Sequence, residues 1–216
     1  MRMYLTTALL LVSSIAAADS VVSGTVKVSE TSGTAVTNAE IVVYVVGPAD
    51  AVKPAPKQVQ IEQKNRTFIP DLVAVTLNDT VVFPNRDPGY HNVFSPKPKF
   101  DLGTLKKGEG SEKPQKFEKP GVIDVYCNIH PEMAATILVL PNRHHTHTSS
   151  GKFELKGVPP GKWKLFAYTR RAKPVSVDIE VPATGAAVLK DLALVRGAEP
   201  PHPDKYGGKY SGKGYP

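Results

Sequence analysis

The chain has 216 residues, among them 20 prolines, 17 glycines and a single cysteine, and carries a formal net charge of +7. At roughly 150 residues per domain it has room for one or two domains. One cysteine excludes an intramolecular disulfide, and prolines at nearly twice the usual ~5% leave no stretch clear enough for a helical bundle, so an all-β chain is expected. The charge excess is local, since residues 142–196 hold ten bases and four acids. With few clustered aromatics the chain is a poor match for nucleic acid, and an acidic protein or an anionic surface suits it better.

The first 18 residues read as a secretory signal peptide: Arg2 supplies a charged start, Tyr4 to Val12 an apolar run, and Ala16-Ala17-Ala18 a small-residue cleavage site, with cleavage after Ala18. The run is shorter than the ~20 apolar residues of a spanning helix. No later stretch is long and apolar enough either, so the mature chain is expected to lack a transmembrane segment and to be periplasmic or secreted. A retained N-terminal anchor is the alternative.

Past the leader, β-branched runs at 23–28 and 39–46 flank a Gly/Thr/Ser turn region, and Pro48, Pro54 and Pro56 mark a linker over 47–57. Short strands at 58–62, 72–77, 80–83, 91–95, 115–118, 121–127 and 134–140 follow, with turn residues between them, which is the spacing of a sandwich or barrel. A second break over 141–151 precedes strands at 152–155, 162–169, 175–181 and 187–195. In 162–168, Trp163, Leu165 and Ala167 face one side and Lys162, Lys164, Phe166 and Tyr168 the other, so one face suits a core and the other a neighbouring surface. The last stretch, 197–216, is Gly, Lys, Tyr and Pro without periodicity and is expected to be disordered.

The outer strands carry a likeness of their own. Ser23-Gly24-Thr25-Val26, the Val36 to Val46 segment and the run Phe153-Glu154-Leu155-Lys156-Gly157-Val158-Pro159-Pro160-Gly161 resemble the carboxypeptidase-regulatory-like, transthyretin-like β-sandwich. The resemblance implies a transthyretin/Ig-like host sandwich made of residues 19–53 and 142–196, with a second module, residues 54–141, inserted in it. Two modules in tandem are the alternative.

The chemistry-bearing residues of the middle module are Tyr126-Cys127-Asn128-Ile129-His130-Pro131-Glu132-Met133 and, upstream, Phe83-Pro84-Asn85-Arg86-Asp87-Pro88-Gly89-Tyr90-His91-Asn92-Val93. A cysteine, a histidine and a methionine in one short loop, closed by a distant histidine, can wrap one small ion. Soft thiolate and thioether beside imidazole favour copper, whereas a closed zinc site usually takes four Cys/His ligands. These residues resemble the cupredoxins, the type 1 blue copper proteins, in their amicyanin- and plastocyanin-like members, over residues 57–140. The resemblance implies a Greek-key β-sandwich holding one type 1 copper, with His91, Cys127 and His130 as equatorial ligands, Met133 as the axial ligand and the Asn92 N–H directed at the Cys127 sulfur. Tyr90 stands where the family often has a proline and is expected in the layer around the ligands. A carboxylate from Glu132 in place of Met133 is a variant of the same site.

The implied function is one-electron transfer between redox proteins, such as a cytochrome, a dehydrogenase or an oxidase, by outer-sphere Cu(I)/Cu(II) cycling rather than by enzymatic catalysis. Electrons would leave at His130 through an apolar patch of Pro88, Ile129 and Pro131. Lys162, Lys164, Arg170, Arg171 and Lys173 form a candidate docking face for an acidic partner. No nucleophile elbow, phosphate loop or paired carboxylates point to hydrolysis. Two alternatives stay open: a copper chaperone or storage protein using His144, His145 and His147 as a relay, and a structural or adhesive protein with a secondary copper site. Those three histidines are otherwise expected in a solvated interdomain turn.

Overall fold

The computed structural model describes residues 20–48, 55–183, 185 and 188–210. The expected leader and its cleavage site, and part of the expected 47–57 linker, lie outside the described residues. Within them the chain is all-β, as composition predicts, with no helix. The strands are β1 (Val22–Glu30), β2 (Ile41–Val46), β3 (Gln58–Gln60), β4 (Glu62–Lys64), β5 (Thr67–Ile69), β6 (Leu72–Thr76), β7 (Thr80–Val82), β8 (His91–Pro96) and β9 (Lys99–Leu105). They continue with β10 (Gln115–Lys116), β11 (Gly121–Tyr126), β12 (Ala134–Leu140), β13 (His145–Thr148), β14 (Lys152–Leu155), β15 (Gly161–Tyr168), β16 (Val175–Val181) and β17 (Val188–Arg196).

Of the five sheets among the described residues, four stack in series, in the orders β14-β1-β17, β13-β2-β15-β16, β6-β12-β11-β8-β9 and β10-β7-β3, and the fifth is the hairpin β4-β5. The period of two along each strand decides what fills the spaces between them. In β2, Ile41, Val43 and Val45 point into an outer core with Val26, Leu155, Trp163 and Leu165, while Val42 and Tyr44 point the other way and meet Leu72, Ala74, Leu138 and Leu140. In β12, Ala135, Ile137 and Val139 enter a second core with Phe83, Val93 and Val125. Strands buried on both faces read as continuous apolar runs, and β2, β6 and β12 do. Burying each such valine is worth about 1.5 kcal/mol or more. Strand β15 shows both faces at once: Trp163, Leu165 and Ala167 line the outer core, and Phe166 and Tyr168 pack on the middle strands. Tyr44 and Phe166 stack across this seam with centroids 5.0 Å apart.

Strands β1 and β2 pair with β13, β14, β15 and β17, so the chain leaves the outer sheets after β2 and returns to them at β13. Gly24 permits the parallel β1–β17 pairing, because a Cβ there would collide with the Lys190 carbonyl. The crossing point is clamped by charge. Arg143 Nη2 donates to Asp79 Oδ1 at 2.6 Å and to Ala55 O at 2.8 Å, and the Lys57 N–H donates to the same Asp79 oxygen at 2.7 Å. Thr76 adds donors from its N–H and its hydroxyl. Burial raises the Asp79 carboxyl, but these donors outweigh it and hold its pKa below the usual range.

The structure departs from the sequence expectation in four places. A hairpin, β4–β5, occupies a stretch where no second strand is expected; β9 lies at the edge of the five-stranded sheet; and β13 pairs with β2 where a solvated turn is expected. Residues 197–210, expected to be disordered, run back along the middle strands with defined hydrogen bonds.

Candidate metal centre

The five-stranded sheet brings together the end of β11, the start of β12 and the start of β8. The loop between β11 and β12 is tight because the Cys127 N–H donates to Met133 O at 3.2 Å and the Met133 N–H to His130 O at 3.0 Å. Cys127 is fully buried at the mouth of this loop. On β8, the Asn92 N–H donates to Cys127 Sγ at 3.4 Å, as the resemblance implies. The Asn92 side chain ties the neighbourhood further: its Nδ2 donates to Asp101 Oδ1 and Gly103 O, and its Oδ1 accepts from the Asn128 N–H.

His91 is oriented from behind. Its Nε2 lies 2.8 Å from Asp87 Oδ2, which is one turn of loop upstream, so an Nε2–H donated to the carboxylate leaves the Nδ1 lone pair facing inward. Asp87 is itself held by the tip of the β4–β5 hairpin, whose Asn65 and Arg66 amides donate to Oδ1 and Oδ2 at 2.7 and 2.9 Å. Both tip residues have positive φ, 55° and 54°, the backbone of a type I′ turn. Burial raises the Asp87 carboxyl, and the Arg66 amide, His91 and the Asn65 amide more than reverse it, leaving it below the ordinary value.

Three ligand atoms converge. His91 Nδ1 and His130 Nδ1 are 3.0 Å apart, Cys127 Sγ lies 3.8 Å from His130 Nδ1, and all three atoms fall within 4.8 Å of one another. Burial pushes the Cys127 thiol up, against the amides of Asn92, His130 and Ile129, which pull it down. Burial, then the neighbouring His91 and Arg66, hold His130 below the ordinary imidazole value, so it is neutral at pH 7 with its lone pair available. Two imidazole nitrogens and one buried thiol sulfur fit a single soft or borderline ion that takes nitrogen and sulfur together. Such an ion would displace the thiol proton.

The remaining expected residues divide. Met133 is 1% exposed and packs in the core beside Cys127, whereas Glu132 is on the surface, so the loop turns the thioether inward and the carboxylate out. Tyr90 is 61% exposed and forms part of the wall of an open groove of about 880 Å³ with Arg66, Pro88, Ile129, His130 and Tyr206. His91 is buried and His130 partly exposed, so only the latter offers a ring edge to a visitor. His144, His145 and His147 belong to the opposite end of β12, a strand of seven residues or about 20 Å. The candidate basic face is largely compensated: Arg170 pairs with Asp71 and Glu199, Arg171 with Glu30 and Lys164 with Asp178. Sequence reasoning missed Asp87, Asn65, Arg66 and Asp101; a carboxylate four residues before His91 is the one signal it could have used.

No family model and no curated protein matches the chain, but solved structures do. It is similar to a copper-containing nitrite reductase from Thermus scotoductus SA-01, with 26% identity over 46% of this chain and 26% of that one and a TM-score of 0.37. It is similar to a reduced single-site variant of amicyanin, with 21% identity over 45% of this chain and 98% of that one and a TM-score of 0.37. A purple cupredoxin from Nitrosopumilus maritimus aligns with 24% identity over 38% of this chain and 98% of that one, at a TM-score of 0.33. The chain spans about a quarter of the nitrite reductase's length.

Proposed function

We propose that this chain is an exported copper protein that passes single electrons between redox proteins. The observation that carries the reading is the convergence of His91 Nδ1, His130 Nδ1 and Cys127 Sγ, two of them buried and His130 partly exposed. These three would hold one copper ion, with the Met133 thioether as a weak fourth ligand. When bound, copper supplies a centre that accepts and returns one electron.

The residues of the chain do the rest. Asp87 fixes the tautomer and ring plane of His91, and the Asn92 N–H holds the sulfur in place and draws electron density from it. Two of the three ligand side chains are held by hydrogen bonds, to Asp87 and from the Asn92 amide, which supports a fixed cage with little rearrangement on electron arrival over a metal-exchanging chaperone. The distance between this pocket and His144, His145 and His147 also weakens the relay alternative. His130 borders the groove, and Pro88 and Ile129 give that border an apolar surface that desolvates readily against a partner protein. Residues 1–18 would direct export to the periplasm or beyond. The outer strands, on their likeness to carboxypeptidase-regulatory domains, would serve as a scaffold.

The test is to add Cu(II) to the purified chain and follow the visible spectrum. An intense thiolate-to-copper band that saturates at about one equivalent and vanishes in Cys127→Ser is expected. Absence of the band, or its survival in the variant, contradicts the assignment.

A further inference from the structure

The segment that follows β17 closes on the ligand loop. Arg170 anchors its start, donating from Nη2 to Glu199 Oε1 at 2.8 Å and from Nη1 to Asp71 Oδ2 at 3.2 Å. Further on, Asp204 folds the chain back: its Oδ1 accepts from the Tyr206 and Gly208 amides, and its own N–H donates to Gly208 O. Gly207 supplies the positive φ of 90° that this turn needs.

From that turn, contacts reach the ligand loop on both sides of His130. The His202 ring stacks on Tyr126 with centroids 4.0 Å apart and planes 14° from parallel, and its Nε2 lies 3.1 Å from Pro131 O. The Lys205 N–H donates to Asn128 Oδ1 at 2.9 Å, and the Tyr210 hydroxyl donates to Asn128 O at 3.1 Å. Lys205 Nζ sits 3.1 Å from Asp101 Oδ2, whose other oxygen accepts from Asn92 Nδ2, and the Asn92 N–H is the donor to Cys127 Sγ.

We propose that residues 199–210 form a clasp, carried by the outer strands, that positions the ligand loop by gripping Tyr126, Asn128 and Pro131. The proposal deepens the copper reading and rests on it. His202, Lys205 and Tyr210 touch no ligand atom; they act as positioning residues through the residues that flank Cys127 and His130. Two consequences follow from the chemistry. Freed of the clasp, the loop opens more readily and releases metal faster. Without the Lys205 cation, and with Asn92 less firmly aimed at the sulfur, the thiolate donates more strongly and the more oxidised ion is favoured, so the reduction potential falls.

The experiment compares three copper-loaded proteins: the full chain, a chain ending after Ala198, and the full-length double variant His202→Ala/Lys205→Ala. Each is read by its visible band, its reduction potential and the rate at which a Cu(I) chelator removes the metal. Both altered proteins are expected to keep the band, to lose copper about tenfold faster, the effect of one or two net hydrogen bonds, and to have a lower potential. If the shortened chain fails to fold, the double variant decides: parental release rate and potential overturn the clasp. Absence of the band in the full chain overturns the copper reading beneath it, a separate outcome.

Discussion

Histidines lie near both ends of β12, and the difference between the two places shows which arrangement suits an ion. At the start of the strand, His91 and His130 turn their Nδ1 atoms toward each other at 3.0 Å, beside a buried sulfur, with Asp87 holding His91 from behind. Past its far end, His145 and His147 have ring centroids 5.9 Å apart, and His147 Nδ1 is engaged by Glu40 at 2.9 Å. His145 is pushed down to about 4, chiefly by burial and then by His147 and Arg143, and its Nδ1 has no protein partner among the described residues. Both places offer imidazoles, brought together across 39 residues at the first and standing two residues apart on one strand at the second. A carboxylate partner holds a histidine at both ends, but among the described residues ring nitrogens converge beside a sulfur only at the first. The second end does structural work, joining the outgoing and returning chain around Arg143 and Asp79.

Four measurements can break or sharpen that contrast. The largest expected effect is at the structural end: Asp79→Ala leaves the Arg143 guanidinium without its buried partner and should cost about 3–5 kcal/mol in urea unfolding, with the visible spectrum of the copper form unchanged. A change in spectrum instead would mean that the two ends are coupled. The next concerns acid. Because the folded-state pKa of His145 lies near 4, below its ordinary value of 6.5, its contribution is complete above the ordinary value and is lost as pH falls toward 4. Stability should therefore fall by on the order of 3 kcal/mol across that window, and thermal melts of His145→Gln should show a flatter profile. An identical profile in the variant would assign the acid sensitivity elsewhere.

At the ligand end, Asp87→Ala frees the His91 ring and should weaken copper binding about 10- to 100-fold in competition titrations, with about 1–3 kcal/mol lost in urea unfolding because the Asn65 and Arg66 amides lose their acceptor. Unchanged affinity would remove Asp87 from the account of the site. The smallest effect belongs to His147→Ala, which breaks an exposed contact with Glu40: about 0.5 kcal/mol in stability and no change in copper stoichiometry. Loss of a bound copper in that variant would turn the structural end into a second metal site.

How much of this was legible in the sequence follows from which forces act locally. Strands β12, β14 and β16 match their expected bounds because alternation and β-branched content state the face and the period directly. The two faces of β15 were readable for the same reason. That Cys127, His130 and Met133 share one loop was readable because they sit on one short segment. Strands β4 and β5 were not, since they have three residues each and their turn uses Asn65 and Arg66 without the glycine that usually announces a hairpin. Strand β13 reads as polar and breaks no rule for a loop; it is a strand because β2 offers it an edge. The 197–210 stretch has no periodicity at all. Its order comes from one aspartate that organises a turn and from partners such as Tyr126 and Asn128, far away in sequence. How far the basic excess of residues 142–196 is paired was likewise illegible, because Arg143, Arg170 and Arg171 face acids contributed by other parts of the chain.

The central claim is that the pocket of His91, Cys127, His130 and Met133 keeps its ion while an electron comes and goes. Repeated chemical reduction and reoxidation of the copper-loaded chain, with a Cu(I) chelator present throughout, tests this most directly. The account predicts one electron per chain in every cycle, with the visible band returning in full and no copper in the chelator. Transfer of the metal to the chelator on the first reduction would contradict it.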